Sequence, residues 1–450
     1  MPKGRPGSTG LPLRVRRRAF GLHLIAENVK APLMLVERPT REELARLLER
    51  ERFDLIGIGL CSCELSRARE LARVVRLVQP SATLMLGGPG AAAPGIEQAL
   101  DADLIAAGEG VTEVRRFLGE DEDAPVRLPS VGAGALSTPA GQLELAPLVA
   151  AVGGPKGRRR LFEDGDALFG EARRLSAEMG AEAFVVLDEG FLADLPLAKG
   201  FLAAMEREGR AFELMAFARP DDLLRWSPED LVRLGVFALL VTAEAFTSRH
   251  VAHFRALRAS GVAVHATVVC EAGNAEDALG LALSLEVDAA ELAPNLALAA
   301  EAEQLLELPD QEPEQVGRAR ASLVSRQGSR LLRLARTLLD GYRAYEFSDD
   351  AWLRRRSVQG RARLANLRLL ISPMSLVSEA ERALQESVSR DLDRLLGPAS
   401  LGDKALALTS QALREVQGAV RRAIETPAAP VCHYRWGPGG ATRRPRYAAD

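Results

Sequence analysis

Short apolar runs alternate with amphipathic stretches along most of the chain. Ala31 to Glu37 reads as an extended strand, and Thr40 with Glu43 has capping-box spacing before a helix from about Arg41 to Arg52. Phe53 to Leu60 is a continuous apolar run, the pattern of a strand buried on both faces, with Cys61-Ser62-Cys63 as the turn at its carboxyl end. Leu65 to Val78 has helical spacing. Thr83 to Leu86 is a strand stopped by Gly87-Gly88-Pro89-Gly90, and Asp103 to Ala106 is another, stopped by Gly108-Glu109-Gly110. Strands alternating with helices at this pitch predict an α/β domain, a parallel sheet with helices on both faces.

Glu120 to Leu145 loses the periodicity and reads as a linker. The alternation then resumes six times, with strands at Leu148–Val152, Phe184–Leu187, Phe212–Phe217, Val236–Val241, Val262–Val269 and Val287–Leu292. Helical stretches fall between them at Asp166–Met179, Leu195–Glu208, Pro228–Leu234, Arg249–Ala259 and Ala275–Leu285. Six such units predict a partial (β/α)6 TIM-type barrel with its site on the carboxyl rim. After Pro309 the strands stop, and Gln315 to Ile424 is helical in pattern. The expected organisation is a mobile basic arm (1–20), a first α/β domain (21–120), a linker (121–146), the partial barrel (147–310), a helical region (311–425) and a mobile tail (426–450).

The 450 residues suffice for two to three domains. With 58 Lys plus Arg against 61 Asp plus Glu, the charge balance does not point to nucleic acid. The apolar runs fall short of the roughly 20 residues of a membrane span, and Met1 to Phe20 has no apolar core of an export signal, so a cytoplasmic protein is expected. Four scattered cysteines, Cys61, Cys63, Cys270 and Cys432, agree with a reducing compartment.

Chemistry is sought first at strand ends. Gly87, Gly88, Gly108 and Gly110 let backbone approach a flat or phosphorylated ligand, or simply make tight turns. Asp188, Glu189, Arg219, Glu244, Cys270-Glu271 and Asn295 follow strands of the second half, where a barrel collects its catalytic side chains. Of these, Asp188, Glu189, Arg219 and Glu244 are the candidates for acid–base or positioning roles. His265 alternates with apolar neighbours as either a core or a lumen residue, and His250 and His253 are expected on the surface. Gly153 to Leu161, which carries Arg158, Arg159 and Arg160, reads as a turn opening a helix. Three arginines there form either an anion site or a solvated basic turn.

Over roughly residues 20 to 380 the chain resembles the cobalamin-dependent radical S-adenosylmethionine enzymes. "ENVKAPLMLVERPTREEL", "FDLIGIGL", "ATLMLGGPG" and "LIAAGEGV" are similar to the family's amino-terminal domain, and "FVVLDEGFL", "LVRLGVFALLVTAEA" and "GYRAYEFSDDAWLRRR" to its later stretches. The resemblance implies a Rossmann-like, flavodoxin-like cobalamin-binding domain. It places cobalamin near Gly59, Cys61, Gly87, Gly88, Gly108, Glu109 and Gly110, with no lower axial His, since the DxHxxG motif is absent. It also exposes a departure. The three thiolate positions of the family's CxxxCxxC loop hold Gly154, Arg158 and Leu161, none of which ligates iron, so no iron–sulfur cluster is expected there. S-adenosylmethionine contacts are weakened with it, as Thr242 and Ala245 replace the small and hydroxyl residues around Glu244. The resemblance thus implies a cobalamin-binding, non-radical or accessory protein. Its partner would be an active radical S-adenosylmethionine paralogue or a small-molecule substrate. The alternatives are cluster-free group transfer at the rim and a cofactor-free interaction scaffold.

Overall fold

The structure, a computed structural model, describes residues 13–15, 19–60, 65–106, 109–138, 141–152, 159–270, 275–285, 287–294, 330–357, 364, 379–396, 431–437 and 440–446. The chain enters through a short strand, β1 (Leu13–Val15), and a helix absent from the sequence reading, α1 (Phe20–Asn28). Strand β2 (Leu33–Val36) is followed by α2 (Arg41–Arg50). The α2 capping box is formed: the Thr40 hydroxyl accepts from Glu43 N at 3.1 Å, and Glu43 Oε2 accepts from Thr40 N at 2.8 Å.

Three parallel strands then lie in the order β3 (Leu55–Gly59), β4 (Thr83–Gly87), β5 (Leu104–Ala106). Helix α3 (Leu65–Val78) and the short α4 (Ile96–Leu100) connect them, and α5 (Gly110–Leu118) follows. Period-two alternation separates the faces. Ile56, Ile58, Leu84 and Leu86 meet Leu48 and Val75 on α2 and α3. Leu55, Met85 and Ala106 meet Ile25 of α1 and Val114 of α5. Helices therefore cover both faces, as the pattern predicts.

The second sheet begins earlier than expected. The region read as a linker holds an antiparallel hairpin, β6 (Gly134–Thr138) and β7 (Gly141–Leu148), and β1 pairs with β6. It is β7, through Leu145 to Leu148, that starts the parallel set. Ala151–Val152 instead forms β8, paired antiparallel with β9 (Arg159–Arg160) in a separate ribbon. Arg159 and Arg160, read as part of a turn opening a helix, thus lie in a strand instead. Helix α6 (Gly165–Met179) starts at Asp164, whose Oδ1 accepts from Ala167 N at 2.9 Å.

The remaining elements follow in order: β10 (Ala183–Val186), α7 (Leu195–Arg207), β11 (Glu213–Ala218), α8 (Pro220–Leu223), α9 (Pro228–Leu234), β12 (Val236–Ala243), α10 (Ser248–Ala259), β13 (Ala263–Cys270), α11 (Ala275–Ser284) and β14 (Ala289–Pro294). Strands β7, β10, β11, β12, β13 and β14 are parallel neighbours in chain order. Right-handed crossovers in unbroken order put all connecting helices on one face. That face, with Phe184, Leu214, Leu239 and Val264, packs on Phe169, Phe201 and Phe254 of α6, α7 and α10.

The other face is divided along its length. Its amino half, Leu145, Ala183, Val185, Met215, Ala238 and Ala263, is sealed by two helices of the carboxyl-terminal region. These are α12 (Arg330–Tyr345), through Leu332, Ala335 and Leu339, and α13 (Glu379–Leu396), through Val388 and Leu392. A helical segment at 351–357 fastens this cap: Arg356, buried, donates to Phe212 O at 2.7 Å and to Arg233 O at 3.1 Å and lies 5.1 Å from the Trp352 ring centre.

In the region read as a mobile tail, β15 (Val431–Gly437) and β16 (Gly440–Arg446) form a hairpin, and β15 pairs with β2. Strand β2 therefore belongs to a separate three-stranded sheet rather than beside β3.

The two α/β units share a core and a strap. Leu24, Val111 and Leu128 belong to the same apolar cluster as Phe169 and Phe201. Residues 124–130 are held from both sides. Asn28 exchanges hydrogen bonds with the Arg127 backbone (2.8 and 2.8 Å) and Arg115 donates to Ala124 O (2.6 Å), while on α6 Glu171 accepts from Leu128 N (2.9 Å) and Arg174 donates to Leu128 O (2.7 Å). A segment bonded on both sides is a spacer of fixed geometry.

Candidate functional site

The carboxyl edge of the first sheet separates glycines that the fold requires from one it does not. Gly88 has φ +89°, and a Cβ there would stand 2.6 Å from Leu60 O, so the turn itself demands glycine. At Gly110 a Cβ would meet Ile25 Cδ1 at 3.0 Å, a helix-packing constraint, and at Gly87 it would touch Ala106 Cβ at 3.6 Å. Gly59 is exposed and faces only Leu22, at 3.6 Å. Gly57, on the same face of β3, is exposed with nothing within 4 Å. Glycine inside a strand weakens it and recurs where a ligand or another backbone must come close. Among the described residues β3 is paired only with β4, so this exposed pair of glycines lies along an open edge. Gly57 was missing from the sequence-derived candidates because a GIG within an apolar run reads as buried. Cys61 and Gly108 lie outside the described residues.

Glu109 has a different set of duties from those expected. Its carboxylate caps α5, accepting from Val111 N at 3.1 Å and Thr112 N at 3.2 Å, and is bonded to the Thr112 hydroxyl. Arg159 reaches it from the β8–β9 ribbon, at 2.8 Å from Thr112 Oγ1 and 3.4 Å from Glu109 Oε2. The neighbouring Arg160 makes a two-pronged pair with Asp194, the cap of α7, at 2.6 and 2.7 Å. Both arginines are thus committed to carboxylates and not to an anion pocket at a helix start. They pin the ribbon to the first unit on one side and to the second on the other. Leu161 donates its N–H to Ala150 O at 2.9 Å and packs on the main core, while Gly154 and Arg158 lie outside the described residues.

On the second sheet, register orders the carboxyl half of the same face. Phe217, Leu240, His265 and Ala289 form one row across β11 to β14, and Thr242, Thr267 and Glu291 form the next row toward the carboxyl ends. Central strands of a parallel sheet are normally covered on both faces. Here Thr242, on central β12, is exposed, as are Glu189, Arg219 and Glu244 just past the strand ends. Asp188 is set apart from these three: it is buried, its Oδ1 accepts from Gly190 N at 2.9 Å, and its carbonyl accepts from Phe191 N at 3.1 Å, so it shapes the β10 turn. His265 is buried beneath the Thr242–Thr267 row. Cys270 ends β13, and Glu271 and Asn295 lie outside the described residues.

His250 departs from the surface position expected of it. It is 5% exposed and ties two loops of this rim. His250 Nδ1 accepts from Thr247 N at 3.0 Å, the Thr247 hydroxyl accepts from His250 N at 3.3 Å, and Nε2 stands 3.0 Å from Asp221 Oδ1. This is a capping box with histidine in the place usually taken by Glu or Gln, a substitution the sequence rule does not flag. One turn on, His253 is half-buried, and burial pushes its imidazole below the ordinary value. In the first unit, His23 and Glu37 pair in the interior at 3.2 Å, joining α1 to the end of β2.

No protein family matches the chain, and no curated protein matches it. Among solved structures, it is similar to the radical S-adenosylmethionine methyltransferase TsrM from Kitasatospora setae with tryptophan substrate and a SAM analogue (aza-SAM) bound. That similarity has 10% identity over 63% of this chain and 71% of that chain, with a TM-score of 0.44. TsrM with cobalamin and a [4Fe-4S] cluster bound matches at 12% identity over 56% and 66% of the two chains, TM-score 0.41. The Amycolatopsis orientalis BexX/CysO complex matches at 18% identity over 40% and 81%, TM-score 0.24. No helix among the described residues is long and apolar enough to cross a membrane.

Proposed function

We propose that this protein binds cobalamin on the open face of β3 and acts without a thiolate-held cluster, as a non-radical or accessory partner in a modification reaction. The observation that carries the reading is the pair Gly57 and Gly59: two exposed strand glycines on one face, one of them with no neighbour to accommodate. That bare floor fits an extended, flat-edged group that needs backbone approach more than side-chain ligation. Gly57 and Gly59 would hold it there, with Gly87 at the next strand end. When bound, cobalamin supplies methyl-carrying chemistry. Without cysteine between Gly153 and Leu161, the chain has no thiolates in that loop to hold iron.

A second reading is favoured by the exposed polar half-face of the second sheet. Here the sheet curves as a partial barrel, and Glu189, Arg219 and Glu244 position a small polar substrate for group transfer, with Asp188 serving the turn.

Cobalamin titration followed by visible absorption tests the first reading, using wild type and Gly57→Val. Valine suits a strand, and a Cβ at this exposed position meets nothing within 4 Å, so the variant should keep its fold. The expected result is saturable uptake by wild type and affinity weakened at least about tenfold in the variant, a loss of about 1.4 kcal/mol. Uptake that ignores the substitution, or no uptake by either protein, overturns the reading.

A further inference from the structure

We propose that His250 is the positioning residue that fixes the two rim loops carrying Arg219 and Glu244, and that charging its ring releases the second of them. The bonding pattern sets the tautomer. Nδ1 receives a hydrogen bond from the Thr247 backbone N–H and so carries a lone pair, which puts the ring proton on Nε2, directed at Asp221. Both ring nitrogens are thereby used, and the buried ring is a tie and not a free base.

A second proton has one place to go, Nδ1, where it would face the Thr247 N–H donor to donor. The capping box then loses one of its two bonds, while the Nε2 bond to Asp221 persists and gains charge. Asp221 belongs to α8, which starts directly after Arg219, and Thr247 ends the loop that follows Glu244. Protonation therefore keeps the α8 side of the tie and frees the 244–247 side. The charged and titratable groups on α8 and on its own helix are Asp221 and Asp222, and Arg249, His253, Arg255 and Arg258. Phe246, edge-on to the ring at 6.4 Å, is the loop side chain that would move with release. The effect on a bound substrate rests on the rim reading above, but the loop response does not.

Hydrogen exchange of the full chain, read by mass spectrometry as protection factors for a peptide spanning 243–250, tests this between pH 7.5 and pH 5. Wild type is expected to lose about fivefold in protection across that range, the worth of a helix cap. His250→Gln restores the usual capping-box residue without a titrating ring, so its protection should stay flat. His253→Gln should respond like wild type. A flat wild-type profile, or the same fall in His250→Gln as in wild type, overturns the proposal. Failure to bind a substrate or cobalamin would leave the exchange result standing, so the two readings fail separately.

Discussion

The two halves of one sheet face of the second unit differ in what covers them. Toward the amino ends of the strands, Val185, Met215, Ala238 and Ala263 are sealed under α12 and α13, and the cap is fastened by the buried Arg356. Toward the carboxyl ends the same face turns polar, and Thr242 on a central strand reaches solvent with Glu189, Arg219 and Glu244. The strands are the same, so among the described residues the difference comes from what lies over them: two helices seal one end, while polar side chains reach solvent at the other.

Breaking the covered end should cost most. Leu339→Ala, which removes a fully buried side chain from the cap, is expected to destabilise by about 2–5 kcal/mol in denaturant unfolding. Arg356→Ala strips hydrogen bonds from the Phe212 and Arg233 carbonyls and should cost about 2–3 kcal/mol by the same measurement.

Asp288 sharpens the comparison through pH. Burial raises its carboxyl above the ordinary value, although Arg258, Thr337 and the Val264 N–H oppose the shift. The folded state therefore holds the proton more tightly than the unfolded chain. That contribution is fully present below the unfolded value of about 3.9 and is lost as pH rises through the folded one. The stability of wild type relative to Asp288→Asn should accordingly fall as unfolding is repeated from pH 4 upward, and a constant difference would contradict the burial account. At the open end, Arg219→Ala should change stability by less than about 0.5 kcal/mol, since an exposed side chain carries little of the fold.

Much of this division was written in the chain. Five of the six parallel strands of the second sheet follow directly from their apolar runs, and the helix start at Thr40 follows from capping chemistry that the structure shows bond by bond. Among the features missed, some lack a continuous apolar run and some have partners far off in sequence. Strands β6 and β7 carry Gly, Ser, Thr and Gln because β6 is joined only to short β1 on its far side. The pairing of β2 with residues almost four hundred positions away leaves no local trace. Site residues divide in the same way. Glu189, Arg219 and Glu244 were legible as polar positions after apolar runs. Nothing in the sequence says that Arg159 and Arg160 find Glu109 and Asp194, that Asp188 turns inward, or that Gly57 sits on an open edge.

The most direct measurement is the corrinoid and iron content of the full chain after anaerobic reconstitution with iron, sulfide and cobalamin, followed by gel filtration. Cobalamin retained at about one per chain with no iron above background is the predicted result. Iron and sulfide retained in stoichiometric amounts, or a protein that emerges without corrinoid, would contradict it.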